Sequence, residues 1–321
     1  MMRRLIRSFI TVLGLTLICS CSSRQQATAI RMATVNWPGY QYFYLAQKEN
    51  LDAELGLRLH VDQLASLHDE RLAYIRGDAE AIATTLPDAI AICREVPSRC
   101  PYIVLVIDHS NGADYVLAQK SIGSLAALKG RSIGMERSVL AEYMLLSALD
   151  RSGLTKSDVD LTYAIPAALV EGLSSGRFDA IISYVPHAED LIEKKEFHVL
   201  FDSSQIPGQI VDVLAVSPQL LRTTPSVVNS LVDLWWESRR YVAEFPEKSY
   251  ALMAQASGIS AEEFIRVERL IYYPSRSEQV NLLDEKGPVK ATLGKLQSQV
   301  LEAGLIPRDL KLPILVPPKD K

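Results

Sequence analysis

Short apolar runs alternate with helically spaced segments along the first two thirds of the chain. The run at residues 102–107 (YIVLVI) is wholly apolar, whereas residues 57–64 alternate between apolar and polar side chains. A wholly apolar run of this length is typical of a buried strand, and alternation is typical of a strand with one solvated face. Strands that alternate with helices predict an α/β fold in which each sheet is mostly parallel and flanked by helices.

The same patterns place the remaining elements. Further strands are predicted at residues 30–37, 131–135, 159–165 and 198–202, and helices at residues 42–49, 67–77, 124–129, 138–151 and 167–176. A long apolar stretch follows at residues 206–216, after which the pattern becomes helical. Val228, Leu231, Trp235 and Val242 share one face of a predicted helix, and more helices are expected at residues 264–271 and 289–303.

One segment occurs twice, 99 residues apart. Residues 77–89 (GDAEAIATTLPDA) and residues 176–188 (GRFDAIISYVPHA) both run from a Gly through an acidic residue and an apolar stretch to a polar pair and a Pro. Each copy predicts a Gly turn, a buried strand, a polar tip and a helix start, because Pro is best tolerated in a first helical turn. The alternative is that any two strand–helix units look alike. Facing tips would form a cleft, since open α/β sheets bind ligands beyond the carboxyl ends of their strands.

The order of these elements predicts two lobes. Lobe one is expected at residues 30–113 and 213–306, and lobe two at residues 114–212 between them. The chain would then cross between the lobes twice, which makes a hinge and a cleft. A Pro- and Lys-rich tail at residues 307–321 is expected to be irregular.

The N-terminus predicts export and lipid attachment. Residues 1–20 combine a basic start with an apolar stretch too short to span a bilayer, as in a signal peptide. The next residue, Cys21, completes a pattern that resembles a bacterial lipobox and predicts an acyl anchor, followed by a polar tether over residues 21–29. The alternative is an ordinary cleavable signal with an incidental Cys. An anchored body would lie on the periplasmic face of a bacterial membrane, with the inner or outer membrane left open.

Composition favours a globular protein and disfavours a nucleic-acid binder. The 321 residues are 48% hydrophobic and 22% charged, and the net charge is −4. Loss of Arg3, Arg4 and Arg7 with the leader leaves 31 basic against 38 acidic residues, a net charge of −7. A chain of that charge has no electrostatic attraction to a polyanion.

Cys93 and Cys100 are predicted to form a disulfide, because export makes oxidation chemically sensible. A loop this short would contribute about 2–3 kcal/mol of stability in the chain-entropy model. Two free buried thiols are the alternative. The five His residues show no metal-binding spacing, so neither a metal nor another cofactor is expected.

Several specific segments carry a family resemblance. They are Trp37-Pro38-Gly39-Tyr40 with Tyr44-Leu45-Ala46, the corner Asp108 with Ser110-Asn111-Gly112-Ala113-Asp114, Leu125 with Leu128-Lys129-Gly130, and Ile206-Pro207-Gly208 with Val211-Asp212-Val213-Leu214. Together they resemble solute-binding proteins of the nitrate, aliphatic-sulfonate and taurine class, which are related to binders of thiamine-pyrimidine precursors. The resemblance covers roughly residues 30–306. It implies a two-lobed type II periplasmic-binding fold that acts as a monomer and delivers a small solute to an ABC permease in the inner membrane.

The resemblance also implies where the ligand binds. Positions that match the family's cleft are Trp37, Tyr40, Thr84, Thr85, Asn111, Asp114, Ser138 and Asp212. The second repeat departs from the family, in which Trp-Glu-Pro-Tyr is usual where this chain has Tyr184-Val185-Pro186-His187. That departure puts the identity of the ligand in doubt more than the fold.

Helix starts at Ser66, Pro87, Ser138 and Pro186 are predicted to hold an oxyanion, because the first turn of a helix offers free N–H groups and a partial positive charge. The alternative is that these residues only cap helices. The full candidate ligand-binding set is Trp37, Tyr40, Ser66, Thr84, Thr85, Asp108, Asn111, Asp114, Ser138, Tyr184, His187 and Asp212. Asp108, Asp114, Glu136 and Asp212 are all expected near the cleft. If any of these carboxylates faces the cavity, the ligand carries an amine, as a zwitterion such as taurine does.

The leading hypothesis is therefore a receptor for a small anionic or zwitterionic solute, without catalysis. An alternative ligand is a pyrimidine precursor or another amine-bearing solute, and an alternative role is sensory. The related enzymes of the same fold, such as pyrimidine-precursor synthases and chorismate-type dehydratases, are cytoplasmic, whereas this chain has a predicted export signal. No nucleophile elbow or phosphate-binding Gly loop is present in the sequence.

Overall fold

The two copies of the repeated segment form interior strands of two different sheets. The computed structural model describes residues 27–284 and 286–302. In both copies the leading glycine has a left-handed backbone, with φ of +88° at Gly77 and +77° at Gly176. Side chains other than Gly avoid that region, which explains why each copy begins with this residue.

Six strands form the first sheet, in the order β11-β4-β10-β3-β1-β2. Their bounds are β1 Thr28–Thr34, β2 Leu57–Gln63, β3 Ala81–Thr85, β4 Tyr102–Ser110, β10 Val211–Val216 and β11 Ile271–Tyr272. Five strands form the second sheet, in the order β7-β6-β8-β5-β9. Their bounds are β5 Asp114–Gln119, β6 Ser132–Met135, β7 Asp160–Tyr163, β8 Ala180–Tyr184 and β9 Phe197–Asp202.

Helices cover the sheets and fill the C-terminal third of the described chain. Up to β10 their bounds are α1 Gln41–Lys48, α2 Leu51–Glu54, α3 Leu67–Arg76, α4 Leu86–Glu95, α5 Val139–Asp150, α6 Pro166–Ser174 and α7 Glu189–Ile192. After β10 they are α8 Pro218–Thr223, α9 Pro225–Glu244, α10 Pro246–Ser257, α11 Ala261–Glu268, α12 Arg276–Leu282 and α13 Pro288–Glu302. Single 3-10 turns lie at Pro38–Tyr40, Pro97–Arg99, Leu125–Leu128, Lys156–Asp158 and Ser203–Gln205.

The chain passes between the sheets twice, after β4 and after β9. In each lobe the strand that follows a crossing runs against its neighbours: β5 is antiparallel to β8, and β10 is antiparallel to β3 and β4. Each of these strands begins at the side of its sheet where the chain arrives from the other lobe. It therefore runs away from the other lobe, opposite in direction to the strands that end at that side. The predicted two-lobed α/β architecture is confirmed, with both crossings built into the sheets.

The C-terminal helices complete the core of the first lobe. Trp235 on α9 is fully buried, with its ring centroid 5.0 Å from that of Tyr42 and 5.5 Å from that of Phe43, both on α1. Val228, Leu231 and Val242 are buried on the same α9 face, as their spacing predicts.

Some predicted elements differ from those observed. Residues 264–271 do not form one helix, because α11 ends at Glu268 and Ile271 pairs with Ser110 as part of β11. Residues 124–129 form only a 3-10 turn, Leu125–Leu128. Pro186 does not start a helix; it lies in a turn, and the single-turn helix α7 begins three residues later.

Several predictions concern residues outside those that the structure describes. They are the signal peptide at residues 1–20, the anchor at Cys21, most of the tether at 21–29 and the tail at 307–321. Within the described part, none of the helices has the length and apolarity needed to cross a bilayer. Cys93 at the end of α4 is joined to Cys100 by a disulfide.

We expect Trp235→Ala to lower the free energy of unfolding by about 3–5 kcal/mol, because it removes a large buried side chain and leaves a cavity. Urea denaturation followed by circular dichroism measures the change. Ile165→Ala is the control, since Ile165 is 45% exposed and should change stability by less than about 0.5 kcal/mol. Equal effects of the two substitutions would contradict the packing of α9 on α1.

Candidate ligand-binding site

Polar strand ends from both sheets meet between the lobes. Asp212 stands at the start of β10, opposite Thr85 at the end of β3 and Asp108 near the end of β4. In the second lobe Asp114 starts β5, opposite Tyr184 at the end of β8. All of these side chains are buried, which places five polar side chains in a region with little access to water.

Two adjoining cavities lie at this junction. The first has a volume of about 10 Å³, room for about one water molecule, and is lined by Val35, Trp37, Tyr40, Leu67, Thr85, Asp114, Leu140, Tyr184 and Asp212. The second has a volume of about 10 Å³ and is lined by Asp114, Glu136, Ser138, Leu140, Ala141, Met144, Pro166, Leu169, Ile182, Ser183 and Tyr184. Asp114, Leu140 and Tyr184 line both cavities, so the two spaces are neighbours. The first draws its lining from both lobes, which is the arrangement expected of a cleft.

Aromatic side chains form a wall of the first cavity. The ring of Trp37 meets that of Tyr184 edge to face across the lobes, with 6.1 Å between the ring centroids. Trp37 Nε1 donates to Asp108 Oδ2 at 3.1 Å, and the Tyr40 hydroxyl donates to Asp212 Oδ1. These two bonds hold the wall in place and bury two carboxylates behind it.

Gly39 is required by this wall. A Cβ atom at position 39 would fall 2.0 Å from Asp108 Oδ2 and 3.1 Å from Trp37 Nε1. Any larger residue would therefore displace the bond between Trp37 and Asp108. Sequence reasoning included Gly39 in a motif but assigned it no role.

Each lobe places one carboxylate against a helix start of the other lobe, and we call this pair of contacts the reciprocal exchange. Asp88 on α4 accepts from the N–H groups of Val139 at 3.1 Å and Leu140 at 3.2 Å, at the start of α5 in the other lobe. Glu136 of the second lobe accepts from the Leu67 N–H at 2.7 Å, at the start of α3 in the first. Each carboxylate also meets the partial positive charge of the opposing helix start. This reciprocal exchange holds the facing edges together.

At α3 and α5 these carboxylates accept from helix-start N–H groups that the sequence analysis assigned to a ligand oxyanion. Ser66 and Ser138 do cap α3 and α5, where they accept from the N–H groups of Asp69 and Ala141. The free N–H groups beside them are occupied by Glu136 and Asp88, as described above. At α4, Thr85 accepts from the Asp88 N–H at 3.2 Å. The protein's own acceptors therefore fill positions that were predicted for the ligand.

Burial perturbs the acids of the site. Desolvation raises the pKa of Asp114 to about 8 and the pKa of Glu136 to about 8. Desolvation also raises the pKa values of Glu70 and of the adjacent pair Asp108 and Asp212, and the neighbouring carboxylate raises that of Asp212 further. Burial disfavours the charged form of each acid, so these groups retain protons well above the usual range.

Some polar atoms in the cavities have no hydrogen-bond partner. They are Asp114 Oδ2, Glu136 Oε2, Ser183 Oγ and the Tyr184 hydroxyl. Asp114 is 2% exposed and Glu136 is 3% exposed, so neither atom is satisfied by bulk water. Unpaired buried polar atoms are costly and point to a bound group that completes them.

The other predicted residues lie outside the two cavities. Asn111 is exposed and lines neither cavity, and its backbone N–H donates to the Leu270 carbonyl, so its role in binding stays a prediction. Thr84 is buried behind the site and donates to Glu70 Oε2 at 2.8 Å. Ser66 is a helix cap. His187 packs edge-on against Tyr184 at 4.9 Å without lining either cavity, and desolvation lowers its pKa to about 4.

Two acidic residues that the sequence analysis did not name shape the site, Glu70 and Asp88, and a third, Glu136, was expected near the cleft without an assigned role. A sequence pattern could have identified the first, because Leu67, Glu70, Arg71 and Tyr74 lie at helical spacing and form the buried face of α3. A buried charge needs a partner, and Arg71 pairs with Asp88 at 3.2 Å and with Glu95 at 3.2 Å. Among the described residues, no group of three or more His, Cys, Asp or Glu is arranged to hold a metal ion.

The family is shown by the sequence itself. The family model described as the NMT1-like family matches residues 23–257, which is most of the chain. This chain belongs to the NMT1-like family. Among curated relatives, a Brucella abortus protein provisionally named a binding protein is 22% identical over 159 residues. That match covers 47% of this chain and 49% of the relative, so the chain spans about half the length of such relatives.

Solved structures show the same fold. The periplasmic aliphatic sulphonate binding protein of Escherichia coli has a TM-score of 0.70 and 16% identity, over 89% of this chain and 96% of that one. A desulfurization enzyme has a TM-score of 0.63 and 18% identity, over 87% of this chain and 93% of that one. The two-lobed fold is therefore that of periplasmic binding proteins, and at these identities the likeness establishes the fold and not the ligand.

We expect Asp88→Ala to open the lobes, because it removes the acceptor of two α5 N–H groups and one partner of buried Arg71. Breaking a buried pair of this kind costs on the order of 3 kcal/mol. Small-angle X-ray scattering of the unliganded protein should show a larger radius of gyration. Asp78→Ala, which breaks only an exposed pair with Arg76, is the control and should leave the scattering unchanged. Identical curves for both variants would rule out the exchange as a latch.

The raised pKa values of Asp114 and Glu136 also predict a pH dependence of stability. Between about pH 4 and pH 8 the folded protein holds protons that the unfolded chain has released, so the free energy of unfolding falls as pH rises. The limit is about 1.4 kcal/mol per pH unit for each such group. Melting temperatures from pH 5.5 to 9 should fall more steeply for the native protein than for Asp114→Asn. Parallel profiles would contradict the protonated state of Asp114.

Proposed function

We propose that this protein is the solute-binding component of an ABC importer and binds a small polar solute between its lobes. The observation that carries the proposal is the pair of adjoining cavities, of which the first is lined by both lobes, with buried polar atoms that have no hydrogen-bond partner. Its family and fold support this role. Each cavity has room for about one water molecule in this conformation, so a solute would enter only when the lobes move apart.

Binding would proceed by closure of the hinge. In an open form the solute reaches the polar ends of one sheet, and closure brings the Trp37 and Tyr184 rings together around it. Formation of the Asp88 and Glu136 contacts to the opposing helices then favours the closed form. Since these contacts do not involve solute, they contribute equally for any solute that allows closure. Discrimination between solutes rests on the cavity lining.

A further, outer cavity has a lining that suits the negative group of an anionic or zwitterionic solute. It has a volume of about 180 Å³ and adjoins the second cavity at Ser138. Three guanidinium groups line it, from Arg71, Arg94 and Arg137. Arg137 lies over the Tyr163 ring at 4.3 Å, which leaves its edge available for an anion. A negative group of the solute would lie on this side and enter past Ser138.

The location and partners follow from the same proposal. Acylation of Cys21 would hold the monomeric protein at the periplasmic face of a bacterial membrane, where an inner-membrane permease receives the solute. Catalysis is the competing candidate because a desulfurization enzyme shares the fold. A thiol nucleophile is one route to catalysis. In the described residues both thiols are joined in the disulfide between Cys93 and Cys100, outside the cavity linings, so neither is free to act as a nucleophile there.

Calorimetric titration of the processed protein with small sulfonates, carboxylates and amino acids tests the proposal. We expect a ligand of micromolar or tighter affinity, about 8 kcal/mol of binding free energy. Tyr184→Ala should weaken it about tenfold or more, because the ring is buried against the solute. Tyr272→Ala is the control, since Tyr272 is 51% exposed and lines neither cavity. Turnover of a bound compound into a product would favour the enzyme instead.

A further inference from the structure

One buried hydroxyl joins the two segments that cross between the lobes. The first crossing, residues 111–113, leads from β4 to β5, and the second leads from β9 to β10 and opens with the fully buried Ser203. Ser203 Oγ lies 2.7 Å from the Oγ of Ser110, the last residue of β4. It also accepts from the Gly112 N–H at 2.6 Å and from the Asp114 N–H at 3.5 Å. One side chain therefore contacts the first crossing at its middle and at both flanking strands.

The direction of these bonds follows from the atoms available. A hydroxyl oxygen has two lone pairs and one proton. The two backbone N–H groups use both lone pairs of Ser203, so its proton is left for Ser110 Oγ. Burial raises the pKa of Asp114, and a hydrogen bond from the Ser110 side chain opposes that rise. A chain of hydrogen bonds thus runs from the second crossing to an acid that lines both cavities.

Further bonds make the two crossings a single bonded unit. The Ser110 N–H donates to the Ile210 carbonyl at 3.2 Å, so the end of β4 is bonded to both ends of the second crossing. Arg151 of α5 and Thr292 of α13 donate to other carbonyl groups of the second crossing, at 2.7 Å and 3.1 Å. Any change in the angle between the lobes must bend this unit, because both connections pass through it.

We propose that Ser203 is a positioning residue of the hinge, which ties the two crossings so that they bend together and holds Asp114 in place at the cleft. Hinge motion changes φ and ψ at a few residues between the lobes. While Ser203 is bonded along the first crossing, neither crossing changes its backbone independently of the other. The lobes then move along one path. The inference goes beyond the proposed function, because it concerns the unliganded protein and requires no particular solute.

Amide exchange in Ser203→Ala, made in the processed full chain, tests the tie. The substitution removes the acceptor of the Gly112 N–H, so exchange of that amide with solvent deuterium should accelerate about fivefold or more, as expected for one lost hydrogen bond. The Asn111 amide is the internal reference, because it donates to the Leu270 carbonyl at 2.8 Å. NMR measures both amides. Exchange at Gly112 as slow as in the native protein, relative to Asn111, would overturn the inference.

Spin labels at two exposed helix positions measure the motion of the lobes. Cys residues for labelling replace Asn229 on α9 and Glu171 on α6, since the native Cys93 and Cys100 are already joined in a disulfide. Pulsed electron resonance gives the distribution of distances between the labels. In unliganded Ser203→Ala the distribution should broaden, because untied crossings allow lobe orientations that the tied pair excludes. A distribution as narrow as that of the native protein would overturn the hinge role.

The neighbouring serine provides a matched control. Ser204 lies in the same 3-10 turn, but it is exposed and its hydroxyl donates to Asp202 within that turn. Ser204→Ala should therefore change neither the exchange at Gly112 nor the label distances. Changes equal to those in Ser203→Ala would show that the turn as a whole is responsible and would overturn the assignment to Ser203.

A second variant keeps the inference testable if Ser203→Ala does not fold. Ser110→Ala removes the hydroxyl partner of Ser203 and leaves the bond to the Gly112 N–H. Its label distances should broaden while exchange at Gly112 stays slow, and unchanged distances would overturn the tie. Because every measurement uses unliganded protein, such a negative result would leave the proposed solute binding standing.

Discussion

The structure depends on two carboxylates that satisfy helix starts across the lobes. The beginning of a helix exposes N–H groups that need acceptors, and burial between two lobes removes water as the acceptor. Asp88 and Glu136 meet that need reciprocally, one from each lobe. Their exchange aligns the two sheet edges, and the cavities are the space that remains. The same contacts occupy N–H groups at the N-termini of two helices, which is where anion-binding proteins commonly hold their anion.

The fold was largely predictable because it rests on local patterns. Gly77 and Gly176 with their apolar runs identified the central strands, and the spacing around Trp235 identified the long C-terminal helix. Errors occurred where tertiary pairing overrides local preference. Ile271 joins a sheet through Ser110, a residue 161 positions away, and Pro186 sits in a turn although its sequence context resembles that of Pro87.

The site was only partly predictable. Thr85 and Tyr184, placed by the two repeat tips, line one cavity together with Trp37, Tyr40 and Asp212, which the family resemblance implied. The roles of Asp88 and Glu136 depend on contacts between lobes, at separations of 51 and 69 residues, which no local pattern encodes. The close approach at Gly39 is likewise visible only in three dimensions.

The strands that follow the two crossings, β5 and β10, each have an acidic residue of the cleft at or next to their first position. Asp114 is the first residue of β5 and Asp212 the second of β10. Their side chains line the cavities, while their backbones begin the strands that follow the two crossings. A substitution at either position would therefore alter the lining of the cleft and the end of a connecting strand at the same time.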